Sequence, residues 1–314
     1  MTRFAARRLL HALLVLWLVA TLVFVFVHLS PVPVERIIGG PRATTETLAQ
    51  IRANLGLDRP FAVQYWRFME RLLHGDLGDS YISGTPVTAL IAARLPTTLW
   101  LVLGGGVLWF AGGVALGVLS AARARSLWDR AATVVVLTGL STPPFVMALA
   151  LLYLFATRPA DAGVHFFEAG PPLQDNFLRR MILPWTALAF LMLATYTRLT
   201  RGAMLDVLGE DYVRTARAKG LPERRVVGGH GLRSALTPVV TQFGIDLGAL
   251  IGSTIVTEKV FGLQGVGQLV HRSIAAGDTP VIIGVTLLVT LCVIVANLLV
   301  DICYSFLDPR VRLA

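Results

Sequence analysis

Six stretches of the chain are nearly free of charge, and the polar residues gather in blocks between them. The first is "LLHALLVLWLVATLVFVFVHL", residues 9–29, which follows Arg3, Arg7 and Arg8. The others cover 96–122, 131–156, 182–197, 237–257 and 281–304. A bilayer core about 30 Å thick needs about 20 apolar helical residues to span it. The first stretch exceeds the roughly 7–15 residues of a signal-peptide core, and no A-x-A site precedes "SPVPVER", so it is expected to remain as a span. The fourth is the weakest, being short and containing Thr195 and Tyr196. Glycines within "LGGGVLWFAGGVALG" and "FGIDLGALIGS" suit helices that pack closely in a membrane.

Two polar blocks carry helical patterns of their own. In 30–95, "TETLAQIRANLG" places Leu48, Ile51 and Leu55 along one face and stops at Gly56. "RPFAVQYWRFMERLLHG" opens at Pro60, ends at Gly75 and carries the stripe Phe61, Tyr65, Phe68 and Leu72. This segment is expected to be a helical cap on the span ends, with a docking surface as the functional alternative. The second block is 198–236. From Glu210 to Arg233 it holds six basic residues and three acidic ones. Residues 212–219 favour a helix, Gly220 is a natural stop, and Pro222 with Glu223 suits the first turn of the next helix. The pattern predicts two short helices meeting at a sharp corner on Gly220.

Composition agrees with a lipid setting. The 314 residues are 55% hydrophobic and 15% charged, with mean hydropathy +0.68, against about 45–50% and about 25% in soluble domains. The net charge of +9 could indicate nucleic acid. The basic residues sit beside apolar spans, however, which points to membrane orientation and no nucleic-acid partner. Counting Arg and Lys outside the spans places sixteen with the N-terminus, the 123–130 and 198–236 loops and the tail bearing Arg310 and Arg312. Excluding the long 30–95 segment, only five lie on the other side. The positive-inside rule then puts both termini and 198–236 in the cytoplasm, and 30–95 outside.

No catalytic or metal-binding pattern emerges. There is no G-x-x-x-x-G-K-[ST] and no H-E-x-x-H, and the six histidines have no ligand spacing. Cys292 and Cys303 lie eleven residues apart on one helix, roughly 16 Å, too far for a disulfide. Asp246 stands inside the fifth span with Gln242 one turn away. A carboxylate there costs about 2.5–3.5 kcal/mol on insertion scales, so it should face protein or a polar cavity. Ser141-Thr142-Pro143-Pro144 reads as a kinked stretch facing a cavity. Ser141, Gln242, Asp246 and Glu258 are therefore the candidate lining of a translocation path. Asp301, with Asn297 on its face, is a second acid near a span end.

At the cassette the chain resembles a known family, the integral membrane permeases of binding-protein-dependent ABC importers, in the branch that moves dipeptides, oligopeptides and nickel. That family carries a cytoplasmic loop of pattern E-A-A-x3-G-x9-I-x-L-P, which grips the ATPase. Here Ala216, Gly220 and Leu232 match it, while "YVRTARAKGL" and "LRSALTPVV" resemble the peptide branch closely. "NLGLDRPFAVQYWRFMERLLHGDLGDSY", "ARLPTTLWL", "LSTPPFVMALALLYLF", "TEKVFGLQGVGQLV" and "NLLVDICYSFLDPRVR" extend the likeness almost end to end.

The resemblance implies an all-α integral membrane protein with six transmembrane helices in the type I ABC importer permease fold. It implies one permease domain over 1–314, an extracytoplasmic helical insertion at 30–95 and an ATPase-coupling loop at 198–236. Coupling would fall on Arg214, Thr215, Ala216, Arg217, Lys219, Gly220, Leu221, Pro222, Glu223 and Arg224, with Ala216, Gly220 and Leu221 in the ATPase cleft. The implied partners are a second permease, two ATPase subunits and an extracytoplasmic peptide-binding protein, in a bacterial inner membrane. No cofactor belongs to this chain, since ATP and Mg sit on the ATPases, and the chain is not itself an enzyme. Import of nickel, haem or another small solute is an alternative. His28, His165 and His271 share no spacing, which favours peptides. A stand-alone carrier driven by a proton or sodium gradient would be a different class and would transport as a single chain.

Overall fold

The computed structural model describes residues 2–29, 33–40, 42–157, 167 and 177–307. Arg310 and Arg312 lie outside the described residues, as do His165 and the side chains of Asp301 and Cys303. Every regular element described is helical. The elements are α1 (Thr2–His28), α2 (Val34–Gly39), α3 (Thr45–Asn54), α4 (Phe61–Leu73), α5 (Val87–Ala122), α6 (Leu127–Ser141) and α7 (Pro144–Leu152). Then come α8 (Phe177–Leu208), α9 (Asp211–Ala218), α10 (Glu223–Arg225), α11 (Leu232–Val260), α12 (Val266–Ala276) and α13 (Thr279–Leu307). π-turns follow α7 at Tyr153–Thr157 and precede α11 at Val226–Gly231.

Among the described residues, four helical stretches are long and apolar enough to cross a membrane: Arg8–His28, Val87–Ala122, Phe177–Leu208 and Thr279–Leu299. The fifth expected span lies within α11, whose 29 residues extend roughly 43 Å at 1.5 Å per residue. The third, where the Ser141-Thr142-Pro143-Pro144 stretch is expected to kink, is two arms, α6 and the α7 segment, bent by 106°. The cause is Pro143-Pro144. Neither ring has an N–H to continue the ladder, and each pushes its predecessor into extended backbone. Thr142 stands at φ −95°, ψ 121° and Pro143 at φ −58°, ψ 139°. Pro96 behaves differently: it lies inside α5, which begins nine residues earlier than the sequence pattern indicates.

The chain forms two compact units. In the first, residues 1–96 and 264–292, Val87, Ile91, Val266, Leu269, Val281 and Val285 form a small core. Buried Asp278 pins the 79–86 loop to this core. Its carboxylate accepts from Ser80 Oγ at 2.5 Å and from the Tyr81 N–H at 3.0 Å.

The second unit, 97–263 and 293–314, is built around α8, which packs on α6, α7 and α11. Glycines let α5 meet it closely. A Cβ on Gly104 would fall 2.1 Å from the Trp185 ring, one on Gly113 2.4 Å from the Tyr196 Cβ, and one on Gly117 2.8 Å from the Thr197 carbonyl oxygen. Close backbone approach of this kind is how helices associate where lipid removes the hydrophobic drive.

This packing yields a test. Gly113→Leu must push α5 off α8, and overpacking of this kind costs about 1–3 kcal/mol or more. The melting temperature of the detergent-purified chain should fall by ~5 °C or more. Gly202→Ala, on α8 with nothing within 4 Å of the added carbon, should leave it unchanged or raise it.

Candidate functional site: an elbow carried by two core helices

Helix α8 runs eleven residues past the end expected for the fourth span and stops at Leu208. Three residues later α9 begins at Asp211, with Glu210 extended just before it. It ends in a Schellman turn. The Gly220 N–H donates to the Arg217 carbonyl at 2.9 Å and the Leu221 N–H to the Ala216 carbonyl at 3.4 Å. This 5→2 and 6→1 pairing satisfies the last carbonyls of the helix. It requires a left-handed residue at the corner, and Gly220 supplies φ 79°. Pro222 then opens α10, and the π-turn Val226–Gly231 leads into α11.

The corner is held from within. Val213, Ala216 and Val226 are buried together, with Val207, Leu208 and Leu221 packed around them. Ala216 therefore points into the elbow, where it fixes the angle between α9 and the following turn. The exposed residues are Arg214, Thr215, Arg217, Lys219, Gly220, Pro222, Glu223 and Arg224. Arg217 straps the corner: Nη2 donates to Glu223 Oε1 at 2.8 Å and Nε to Oε2 at 3.2 Å. That hydrogen bonding holds the Glu223 carboxyl below its ordinary range. A carboxyl lowered in the folded state stabilises at neutral pH, and the contribution is lost as pH falls through that lowered value. Both partners are well exposed, so water and salt keep it small. On the far side, the Tyr212 hydroxyl donates to Ser234 Oγ at 3.1 Å, tying α9 to α11.

A second polar cluster anchors α8 just before the elbow, and sequence reasoning missed it. Asp129, buried in the first turn of α6, accepts from Arg201 Nε at 2.8 Å and Nη2 at 3.0 Å. It also accepts from the Arg125 N–H at 2.9 Å and from the Ser120 hydroxyl. One carboxylate thus joins the end of α5, the start of α6 and α8. The available signal was Ser126-x-x-Asp129, a helix-start pattern. Ser126 Oγ does cap the Asp129 N–H, at 3.3 Å.

Within the apolar region, Asp246 of α11 accepts from the Tyr196 hydroxyl at 2.8 Å and from Gln242 Nε2 at 3.0 Å. Gln242 stands one turn away on the same helix, as its spacing indicates, whereas Tyr196 comes from α8, fifty residues earlier in the chain. Tyr196 is fully buried among Trp109, Phe110 and Phe243. Asp246 itself is half-buried, and Ser141 is exposed at the α6–α7 bend. Glu258, expected along a path, is fully buried and accepts from Thr98 Oγ1 at 2.6 Å. In this structure it braces α5 against α11 and lines no open surface.

Against known proteins, residues 113–313 match the family model described as "Binding-protein-dependent transport system inner membrane component". Residues 1–102 match the model of that component's N-terminal part. The chain belongs to this family. The "Glutathione transport system permease protein GsiC" of Salmonella paratyphi A is 40% identical over 313 residues, 99% of each chain. The protein of that name from Escherichia coli K12 is 38% identical over 315 residues, again 99% of each. A chain of the inward-facing MetNI methionine ABC transporter superposes with TM-score 0.57 at 17% identity, covering 70% of this chain and 97% of that one. The permease is accordingly an all-helical, multi-pass inner-membrane subunit of an ABC importer, in the peptide and nickel branch. It has the type I importer permease fold.

The corner carries its own prediction. Nothing lies within 4 Å of a Cβ built on Gly220, so a substitution there is penalised by its positive φ and not by a clash. Gly220→Val should cost about 1–2 kcal/mol locally, raising amide exchange across 211–226 roughly ten-fold. Gly220→Asn, whose side chain tolerates the left-handed region, should raise it much less.

Proposed function

We propose that this permease forms half of the translocation path of a di- or oligopeptide importer. ATP hydrolysis on two separate ATPase subunits drives it, and it pairs with a second permease chain. An extracytoplasmic binding protein delivers substrate. ATP and Mg are held by the ATPases, and this chain is not catalytic. The observation that carries the reading is the elbow: a self-packed, exposed corner of mixed charge, mounted between two long core helices. A solvated connection would need neither the buried Val213–Ala216–Val226 centre nor the Arg217 strap. The substrate class rests on the full-length likeness to permeases named for glutathione, itself a peptide.

In this reading both termini and the elbow face the cytoplasm, and 30–95 faces outward, following the charge count. The docking surface consists of Arg214, Thr215, Arg217, Lys219, Gly220, Leu221, Pro222, Glu223 and Arg224, with Ala216 setting its shape from inside. Contact energy concentrates near the centre of such interfaces, while rim charges mainly orient the partner. Ser141, Gln242 and Asp246 are assigned to the path; Glu258 supports it from behind.

Reconstitution tests the function directly. Proteoliposomes containing the chain with its partner permease, ATPases and binding protein should accumulate peptide only when ATP is supplied. The chain alone should neither hydrolyse ATP nor move peptide. Uptake by the single chain under a proton or sodium gradient would end this reading in favour of a stand-alone carrier.

A further inference from the structure

Helix α4 is apolar over more of its circumference than the protein covers. One stripe, Phe61, Tyr65 and Phe68, packs on α1. Phe24 of α1 lies within 5.2–5.4 Å, ring to ring, of all three. His28 Nε2 meets Gln64 Oε1 at 2.8 Å. Thr21 Oγ1 donates to the Trp17 carbonyl at 2.8 Å, so the Tyr65 hydroxyl donates to Thr21, also at 2.8 Å. The polar arc, Gln64, Arg67, Glu70 and Arg71, lines a cleft of about 1020 Å³ shared with Glu35, Arg52 and Asp76. Between these two faces lies a third stripe at helical spacing: Ala62, Trp66, Met69 and Leu73. Trp66 is 72% exposed and Leu73 87% exposed.

The contacts with α1 fix where that stripe sits. The Arg8–His28 span ends at His28. Thr21 lies seven residues before that end, about 10 Å into the span at 1.5 Å per residue. Tyr65, Phe61 and Phe68 all touch α1 between Thr21 and His28, so α4 lies level with the last two turns of a membrane-spanning helix. The surface of α1 beside it is itself apolar and open, with Leu18, Leu22 and Phe26 exposed. The bare stripe on α4 continues that lipid-facing surface. An amphipathic helix with Trp and Leu on one face and Arg on the other, held at this depth, has the composition of an interfacial helix. Trp is favoured at that level because its ring is apolar and its N–H is polar.

We propose that α4 lies in the membrane interface, with Ala62, Trp66, Met69 and Leu73 seated at the boundary between headgroups and acyl chains. The occupant of this face is phospholipid. The 61–73 helix is thus a bilayer anchor that holds the rest of the insertion close to the membrane. The inference rests on α1 spanning the membrane, and it holds whichever side α1 ends on.

The test is a nitroxide scan of the assembled transporter in phosphatidylethanolamine–phosphatidylglycerol vesicles. The background is Cys292→Ala and Cys303→Ala, with single cysteines at positions 62, 66, 67, 69, 71, 73 and 74. Labels at 62, 66, 69 and 73 should favour collision with oxygen over a water-soluble nickel chelate by at least about three-fold relative to 67, 71 and 74. Equal chelate access at 66, 73, 67 and 71 would place the stripe in water and overturn the proposal. Protection of 66 and 73 from both reagents would also overturn it, by showing that a protein partner covers the face. Should Trp66→Cys fail to assemble, labels at 62 and 73 give the same answer.

Discussion

The close seating of α8 against α5 is the contact on which the second unit depends. The glycines at 113 and 117 let the two backbones approach to a distance that any Cβ would prevent, and Gly104 makes room for the Trp185 ring. Lipid gives helices no hydrophobic reason to associate, so this fit and the polar bonds beside it must supply the specificity. With α8 in place, its other faces receive α6, α7 and α11. The same helix then carries three polar features in order along its length. Tyr196 reaches Asp246, Arg201 reaches Asp129, and Leu208 leads into the elbow. Aromatic packing buries the Tyr196 side chain, so its hydroxyl would be costly to leave unpaired and its bond to Asp246 is strongly orienting.

This ordering gives the elbow its mechanical sense. A docking corner must not flex independently of what it moves. Here the Schellman turn closes the end of α9, the Val213–Ala216–Val226 cluster fixes its angle, and Tyr212 ties it to α11. Force applied at Gly220 by an ATPase would pass into α8 and α11 together. Those two helices hold Gln242 and Asp246, which we assign to the path, and Tyr196, which orients Asp246 from the buried side. Asp129 and Arg201 clamp the neighbouring ends of α5 and α6 to α8, so the hairpin would move with it.

Much of this was legible in the sequence, wherever a single stretch carried its own signal. The apolar stretches at 9–29, 96–122 and 281–304 announced themselves by length, and helices long and apolar enough to cross a membrane cover or overlap each. Gly56, Gly75 and Gly220 stand at helix ends with positive φ, and the Phe61, Tyr65, Phe68 stripe is a packing face. Features that depend on partners far along the chain stayed hidden. Nothing near Asp129 announces Arg201, seventy-two residues away, and Tyr196 gave no hint of Asp246 fifty residues on. Ala216 fits a docking pattern by position, but burial decides its role, and burial comes only with Val226 folded over it. The Pro143-Pro144 pair signalled a kink without its size. The continuation of α5 through Pro96 reverses a sound rule, because a membrane helix tolerates an internal proline where its neighbours satisfy the freed groups.

The central claim is that the exposed side of the elbow lies in the cytoplasm and is covered by an ATPase subunit. Thiol labelling of Arg214→Cys and Arg224→Cys, in the chain with both native cysteines replaced by alanine, tests it most directly. In inside-out vesicles stripped of peripheral subunits, both positions should react readily with a membrane-impermeant maleimide. Adding back the ATPase subunits should slow the reaction about ten-fold or more, as expected for side chains enclosed in a specific interface. In right-side-out vesicles neither position should react. Reaction from the outer face, or labelling unaffected by the restored ATPases, would contradict the account.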